Sequence, residues 1–555
     1  MTTIKSYNKR LESLSSERST FIPLWADLSD YHLAHRGRFL ITDNNKGARR
    51  DTKQLNNTSR LANRTLASGM MAGITSPARP WFRLATPDPK LREIPAVREW
   101  LHAVQTIMYA IYSQSNTYNS LSSLYAELGV FGTSTMGVYS DFNNVIHCQP
   151  YTIGSYALGL DGRNKVDSFY REYQKTVGSV VKEFGINNVS DAVKRQWDTG
   201  NTEAKVDVVH VVEPNDDRDM GSPLARNKKI RSATYEKGQQ TSKSNRFLKE
   251  SGFDIDPILS PRWDVTGEDV YATDCPGMTA LGDTKLLQLS ERRTYQAVDV
   301  VIRPPMVGPS SIVNKINQGG LKPGEAIAND TQSAGLKSVY DFRPDINAIS
   351  MLTDKVEFRI KRSFYEDLFL MLANSDRRQI TAREVAEKHE EKLLMLGPVL
   401  ERLQSELLDP LIDITFHHAQ VAGILPPPPP ELDNVELRVE YVSVLAQAQR
   451  MVSVGAINQM ADFVGNVANI WPEARHKFDA LQAVDDYADA LGVAPTIIRD
   501  DKTVREMMQQ EQQAAQAQQA AEMAQQAATT AKTASETSMD DGNALTTTLR
   551  NAGLM

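Results

Sequence analysis

Cysteine is scarce in this 555-residue chain, which contains only two. Cys148 and Cys275 lie far apart and no Cys-x-x-Cys pair occurs, which excludes a disulfide scaffold and a cysteine-based metal framework and is typical of a reducing compartment. Long hydrophobic runs are lacking too: no stretch approaches the roughly 18 apolar residues that cross a bilayer, and no apolar segment of a secretory signal follows the start. We therefore expect a large soluble chain inside the cell.

An excess of positive charge is also absent. The 69 acidic residues outnumber the 62 basic ones, and the formal net charge is −7. A protein that coats nucleic acid through bulk positive charge is therefore not expected. The share of hydrophobic residues, 41%, is that of an ordinary folded chain. At roughly 100–200 residues per domain, the length predicts about three or four folded units.

The motifs of the common enzyme classes are missing. The sequence has no GxxxxGK[ST] phosphate loop, no HExxH or Cys/His zinc pattern and no GxSxG nucleophile elbow. We therefore predict no catalytic residue, no metal ligand and no cofactor, and we do not expect an enzyme.

Two pairs of histidines have both a functional and a structural interpretation. His32 and His35, three residues apart, could face one metal, but no third ligand lies nearby in the sequence, so we favour an exposed or hydrogen-bonded pair on a helix. The adjacent His417 and His418 point to different sides of a helix, which favours surface or core positions.

Three further segments could contact a ligand or serve the fold. The acidic segment 216–219 could bind a divalent cation, but the arginine within it favours an ion pair in a loop. Trp81 and Phe82 could stack on bases, although burial at a hydrophobic junction is favoured. The basic segment 226–249 is interpreted as a solvated hairpin or loop, with a phosphate-contacting patch as the alternative.

The periodicity of apolar residues predicts an α+β chain that is predominantly helical. Apolar residues recur every three or four positions up to about residue 75 and again over 95–128, which indicates helices. Runs of β-branched and aromatic residues over 165–173 and 206–212 indicate strands.

Two long helices are predicted in the middle of the chain. Residues 281–302 would form a helix of about 31 Å and residues 345–372 one of about 42 Å, at about 1.5 Å per residue. The segment between them, 303–344, is rich in proline and glycine. This order predicts a stalk of two helices with a small module at its tip.

A polar break over 373–380 precedes a further long helix, 381–425. Thr381 to Glu384 fits a capping box, which marks the start of this helix. Pro398 and Pro410 each lack an amide donor and should kink or divide it.

The last part of the chain begins with a run of prolines, 426–430, which predicts a stiff spacer about 16 Å long at roughly 3.1 Å per residue. The rest of 426–505 is predicted to be a small helical domain. Residues 506–555 are rich in alanine and glutamine at first and contain no aromatic residue. A helix there has little to bury by itself, so it would fray or pack against copies of itself.

Several blocks of the sequence occur in an order that is typical of one protein family. The blocks are 68–77 with 80–82, 118–133, 161–173, the strand that ends at 212, 276–286, and 381–385 with 396–403. Together they cover roughly residues 10–420 and resemble the portal proteins, or head-to-tail connectors, of short-tailed bacteriophages (podovirus type).

The resemblance implies a ring, usually of twelve subunits, at one capsid vertex, with a central channel for DNA packaging and ejection. The implied domains are N-terminal helices and a mixed α/β wing (1–280), stem helix 1 (281–302), clip (303–344), stem helix 2 (345–372), tunnel loop (373–380), long kinked wing helix (381–425), helical crown (426–505) and a C-terminal tail that could form a helical barrel (506–555).

The resemblance also implies candidate site residues. Those of the tunnel loop are Asn374, Ser375, Asp376, Arg377, Arg378 and Gln379; those lining the stem are Arg292, Arg293, Arg359, Lys361 and Arg362; those of the clip, which would contact the packaging motor or adaptor, are Gly319, Gly320, Lys322, Pro323 and Glu325. The stem residues could instead form ion pairs between subunits.

The implied partners are further copies of the chain, double-stranded DNA without sequence specificity, terminase, the major capsid and scaffolding proteins, and a tail adaptor or tail tube protein. No membrane is implied. The location would be the virion, with the host cytoplasm during assembly. An internal scaffold or ejection protein is the alternative; it accounts for the Ala/Gln-rich tail but not for the order of stem and clip.

Simple geometry agrees with a channel. Twelve stem helices packed about 8–10 Å apart form a ring of roughly 38 Å in diameter, with a lumen near 28 Å. Twelve copies at −7 each carry −84, so the ring on average repels phosphate. Since each neutralised phosphate strengthens binding, an acidic ring suits DNA that must slide.

Overall fold

In the computed structural model of the chain, two compact units are present, Met1–Ala456 and Ile457–Met555. Placement is described for residues 4–40, 53–88, 91, 94–238, 247–302, 306–307, 337–338, 346–374, 396–432, 437–441, 460–468, 471, 473, 477–484, 501–536 and 550.

The helices lie mostly in the first unit. They are α1 (Ile4–Ser19), α2 (Ile22–Tyr31), α3 (Thr58–Gly73), α4 (Pro95–Gln114), α5 (Thr117–Phe131), α6 (Val177–Phe184), α7 (Asp191–Asp198), α8 (Pro276–Ile302), α9 (Ile346–Ser363), α10 (Glu366–Asn374), α11 (Asp409–Val421) and, in the second unit, α12 (Asp501–Glu536). Shorter helical segments cover 396–403, 460–468 and 480–484. The Ala/Gln-rich segment thus begins as a helix, α12.

The strands all lie in the first unit as far as the described residues extend. They are β1 (Phe82–Ala85), β2 (Thr135–Asp141), β3 (Val145–Tyr151), β4 (Tyr156–Leu160), β5 (Val166–Thr176), β6 (Lys205–Pro214), β7 (Ile230–Glu236), β8 (Lys249–Phe253), β9 (Ile258–Leu259), β10 (Met306–Val307), β11 (Lys337–Ser338) and β12 (Arg438–Tyr441). This mixture of helices and strands confirms the α+β prediction.

The largest sheet is an antiparallel meander of five strands in the order β4-β5-β6-β7-β8. Its central strands are the two predicted from β-branched and aromatic runs, β5 and β6. Helix α1 covers one face, where Tyr7 is buried against Tyr170 and Tyr235 with ring centroids 6.4 and 6.1 Å away. The described part of the basic segment 226–249 contributes β7 and the first residue of β8, which pair antiparallel at the edge of the sheet, and Arg231 there forms an ion pair with Glu250.

A second sheet has the order β3-β2-β9 and packs on the helices of the main core. The side chain of Asn116 satisfies backbone groups on the outer edge of strand β3. It accepts a hydrogen bond from the Cys148 amide (2.9 Å) and donates one to the Cys148 carbonyl (2.7 Å).

Trp81 and Phe82 are fully buried at the junction of β1 with α4, as predicted. Asn116 follows Ser115, at which the helix predicted over 95–128 divides into α4 and α5.

The prediction of one helix over 345–372 is wrong. Two helices occur instead, because Tyr365, between α9 and α10, adopts a left-handed conformation with φ of 53°. The break redirects α10 so that Phe369 packs on α3 at Gly69, where a Cβ atom would lie 2.2 Å from the phenyl ring. Burial of Phe364 before the break and Phe369 after it stabilises this geometry.

The prediction of a small helical domain over 426–505 is wrong at 438–441, whereas the described segments 460–468 and 480–484 are helical. Residues 438–441 form β12, which pairs antiparallel with β1, for example Leu84 with Val439. The proline run is not a free spacer, since the indole of Trp100 donates a hydrogen bond of 2.9 Å to the carbonyl of Pro426. These contacts add 426–441 to the first unit, because strand pairing and proline docking depend on residues more than 300 positions earlier.

The long helix predicted over 381–425 is described from residue 396. It is not divided by Pro410: a π-helical turn, Gln404–Leu408, joins 396–403 to α11 just before this proline. Such a turn accommodates a proline because the regular hydrogen-bond pattern is already interrupted there. The capping-box residues, Thr381 to Glu384, lie outside the described residues.

Candidate functional site

The pair of long helices α8 and α9 is the candidate site. Asp283 of α8 contacts Arg359 of α9, while β10 and β11, at the other ends of the two helices, pair through Met306 and Ser338. The two helices therefore run in opposite directions as a hairpin; of the residues between them, 303–344, the structure describes only 306–307 and 337–338.

Close packing fixes the start of this hairpin on the rest of the first unit, which is called the body below. Helix α8 begins with Pro276 at its first position, and a Cβ atom at Gly277 would lie only 2.5 Å from the carbonyl oxygen of Val130. Only glycine allows this approach to the end of α5. On α9, Val356 and Ile360 are buried in the main core.

The predicted stem residues lie on the hairpin and are exposed. Arg359 makes a two-point ion pair with Asp283: Nη2 lies 2.7 Å from Oδ1 and Nε lies 3.0 Å from Oδ2. This partner raises the pKa of Arg359. The ion pair thus forms within one chain, whereas the sequence allowed a channel-facing group or a pair between subunits.

The other four stem candidates lie at different positions along the axes of α8 and α9. Arg292 and Arg293 are nine and ten residues beyond Asp283, about 14 Å along α8 at about 1.5 Å per residue. Lys361 and Arg362 are in the last turn of α9. The five basic residues therefore do not form one cluster in a subunit.

The candidates of the loop and the clip fall at or beyond the edge of the described residues. Asn374 is the last residue of α10. Ser375, Asp376, Arg377, Arg378 and Gln379 of the tunnel loop, and Gly319, Gly320, Lys322, Pro323 and Glu325 of the clip, lie outside the described residues.

Hydrogen bonds between Gln288 and the loop before α3 attach α8 to the body, and the sequence did not predict them. The side chain of Gln288 accepts hydrogen bonds from the amides of Leu55 (2.6 Å) and Asn56 (2.9 Å) and donates one to the carbonyl of Asn56 (2.7 Å). The only signal in the sequence is a glutamine among leucines on α8.

Large apolar side chains face solvent on the same hairpin. Tyr295, Ile302, Met351 and Phe358 are each between 61% and 69% exposed. Tyr295 and Ile302 are seven residues apart on α8, and so are Met351 and Phe358 on α9, so each pair shares a helix face. These four side chains are more exposed than the apolar residues of the same helices that pack in the main core.

A buried ion pair secures the body beside the hairpin. Arg262, only 3% exposed, donates to Glu406 of the π-helical turn, with Nη2 2.6 Å from Oε1. The guanidinium also donates to the carbonyls of Asp269 (3.1 Å) and Asn164 (2.8 Å). The π turn is thereby tied to the loop after β9.

The remaining polar candidates do not form a site. His32 is buried, its Nδ1 is hydrogen-bonded to Ser59, and burial lowers its pKa to about 3, whereas His35 is exposed. His417 lies 3.7 Å from Asp254. Among the residues that the structure describes, no three His, Cys, Asp or Glu side chains converge as a metal site would require. Within the same residues, no helix is both long and apolar enough to cross a bilayer.

The amino-acid sequence is similar to those of known phage proteins over most of its length. It matches the family described as bacteriophage head to tail connecting protein over residues 4–498. It is 44% identical over 549 residues to the portal protein of Salmonella phage epsilon15, with 98% of each chain covered. It is 44% identical over 512 residues to the probable portal protein of Bordetella phage BPP-1, with 91% of each covered.

A solved structure of the neck of an empty gene transfer agent particle is more distantly similar. Its chain is 13% identical, with a TM-score of 0.35 over 76% of this chain and 92% of that one. Structural overlap at this level supports no inference.

Proposed function

The chain belongs to the bacteriophage head to tail connecting protein family, and we propose that its copies close into a ring around a passage for double-stranded DNA. It is a portal protein, a structural connector rather than an enzyme. The ring we propose has twelve subunits, stands at one capsid vertex and is the channel for packaging and ejection.

The exposed apolar faces of α8 and α9 carry this proposal. A closed ring of identical subunits needs a heterologous interface, in which one face of each copy meets a different face of the next. Tyr295 and Ile302 on one helix and Met351 and Phe358 on the other would be removed from water by such contacts.

The charge of the hairpin suits a wall along which DNA slides. Helix α8 carries three basic and three acidic residues, and α9 carries four basic and two acidic ones, so the two helices together are nearly balanced in charge. One of the four, Arg359, is neutralised by Asp283 of α8. Because affinity for DNA grows with each phosphate that a protein neutralises, a balanced wall binds weakly and without sequence preference.

The finer assignments belong to the same proposal. The clip would dock terminase and then the tail adaptor through the glycine-rich segment 319–325, and Arg377 and Arg378 of the tunnel loop would face the DNA. Residues 426–505 would form the crown, and the tail over 506–555, which begins within α12, would pack against its own copies as a helical barrel. Capsid and scaffolding proteins would contact the outside during assembly in the host cytoplasm.

The ring is tested by mass photometry and negative-stain electron microscopy of the purified full-length chain. We expect particles of about twelve subunits with a central hole. Phe358→Ser should reduce the ring fraction at least tenfold while the monomer stays folded by circular dichroism. Phe142→Ser is the matched control, since Phe142 is fully exposed at the tip of the β2–β3 hairpin and lies outside α8 and α9.

A wild-type chain that stays monomeric at micromolar concentration would overturn the proposed ring. Equal loss of rings in both variants would overturn the assignment of the interface to the α8–α9 hairpin.

A further inference from the structure

The loop before α3 touches both helices of the hairpin at once. Residues 55 and 56 of this loop make the three hydrogen bonds with Gln288 of α8 that are described above. In addition, the side-chain nitrogen of Asn56, Nδ2, donates to Glu291 of α8 (3.1 Å) and to Glu357 of α9 (2.8 Å). The amide oxygen of Asn56 accepts from the backbone of Thr58 (2.8 Å), which fixes the orientation of its side chain. One residue of the body therefore bridges the two helices.

The bridged groups carry like charges. Since both carboxylate oxygens contact one nitrogen atom, they lie within about 6 Å of each other, a distance at which two negative charges repel. Nitrogen can donate two hydrogen bonds here because an amide NH₂ has two protons. An uncharged donor at this position offsets the repulsion that would otherwise separate α8 from α9.

We propose that Asn56 is a positioning residue for the hairpin: its neutral amide holds Glu291 and Glu357 together and thereby fixes the hairpin against the body. We call these two hydrogen bonds, from Asn56 to Glu291 and from Asn56 to Glu357, the latch. They require a hydrogen-bond donor that carries no negative charge. Its bearing on DNA passage rests on the proposed function, because the hairpin is the proposed channel wall. The latch itself is a property of the single chain.

The variant Asn56→Asp tests the latch. It changes few atoms, but it replaces the donor by a third carboxylate beside Glu291 and Glu357. Hydrogen exchange measured by mass spectrometry on the full-length protein should show at least tenfold faster exchange of peptides from α8 and α9. Peptides from the five-stranded sheet should be unchanged.

Two further variants separate the latch from a general loss of structure. Asn57→Asp is the matched control: it adds the same charge one residue away, at an exposed position that makes no capping hydrogen bond to α3. We expect wild-type exchange from it. In the triple variant Asn56→Asp, Glu291→Gln, Glu357→Gln the repulsion is gone and side-chain amides can donate to the new carboxylate, so protection should return to within threefold of wild type.

If Asn56→Asp does not fold, Asn56→Ala replaces it as the test variant. We then expect hydrogen exchange to be severalfold faster in peptides from α8 and α9 and unchanged elsewhere. Unchanged exchange in both variants, or no rescue by the glutamines, would overturn the latch. Ring counts on the same samples keep the proposals distinct: wild-type protein without rings refutes the proposed function, while the exchange result still decides the latch.

Discussion

The five-stranded sheet and the α8–α9 hairpin differ in how far one chain completes them. On the sheet, Tyr7, Tyr170 and Tyr235 are buried under α1, and basic residues at the edge are paired with acidic ones. On the hairpin, each helix buries one face in the body and leaves large apolar side chains in water. The strands of the sheet thus leave no large apolar side chain exposed among their described residues, whereas the hairpin leaves several in water.

The comparison has a direct thermodynamic consequence. Substitutions in the body should lower the stability of an isolated subunit and of an assembly alike. Substitutions on the exposed faces of the hairpin should act on assembly, because surface changes rarely alter monomer stability by more than about 0.5 kcal/mol.

The largest effect is expected from Arg262→Ala in the body. Removing the guanidinium of a buried ion pair leaves the Glu406 carboxylate with the backbone amide of residue 262 (2.9 Å) but without its cationic partner, so the free energy of unfolding should fall by about 3–5 kcal/mol. Urea unfolding followed by circular dichroism measures it. The matched control, Arg402→Ala, breaks a partly exposed pair with Asp264 at 3.4 Å and should cost less than about 1 kcal/mol. Equal losses from the two variants would contradict the proposed role of burial.

A smaller effect, dependent on pH, is expected at Glu127. Burial raises the pKa of this carboxyl to about 7 in the folded chain, despite Arg36 at 3.2 Å. The folded state therefore binds the proton more tightly than the unfolded state, and the stabilisation present below about pH 4.5 is lost as the pH rises through 7. At about 1.4 kcal/mol per pKa unit, a rise from 4.5 to about 7 changes the free energy of unfolding by on the order of 3.5 kcal/mol at most.

Glu127→Gln, which does not titrate, isolates this contribution. The difference in unfolding free energy between wild type and variant should shift in favour of the variant as the pH rises from 5 to 8. A difference that is flat over this range would show that Glu127 does not titrate there.

The smallest effect is expected from Arg359→Gln on the hairpin. The ion pair with Asp283 is exposed, so water and salt screen it. We expect no measurable change in the melting temperature of the monomer at 0.15 M salt. A clear loss of stability would show that the hairpin depends on its surface charges and would remove the contrast with the sheet.

Local patterns were sufficient for many elements. The β-branched run around residues 206–212 predicted the centre of β6, and the Pro276-Gly277 pair lies at the true start of α8, five residues before the predicted boundary. The burial of Trp81 and Phe82 was predicted as well. The five stem candidates lie on α8 and α9, and their role in lining a channel stays a prediction. The pairing of Arg359 with Asp283 within one chain was not predicted.

Contacts between distant residues account for the errors. Alternation of apolar and charged residues over 437–441 was a signal for β12, but its partner, β1, lies more than 350 positions earlier. The break at Tyr365 depends on the packing of Phe369 against Gly69. Asn56 stands in an unremarkable polar segment, and no pattern connects it with Glu291 and Glu357.

By itself, the sequence determined the helical and strand character of most segments, the order of the two long helices around a proline- and glycine-rich tip, and the membership of the family, because periodicity and short motifs are local properties. Only the tertiary structure decided where the helix pair breaks, which loop holds it and which of its faces remain in water. Those features arise from side chains that lie far apart in the sequence and that the fold brings together, and local patterns do not encode contacts over such separations.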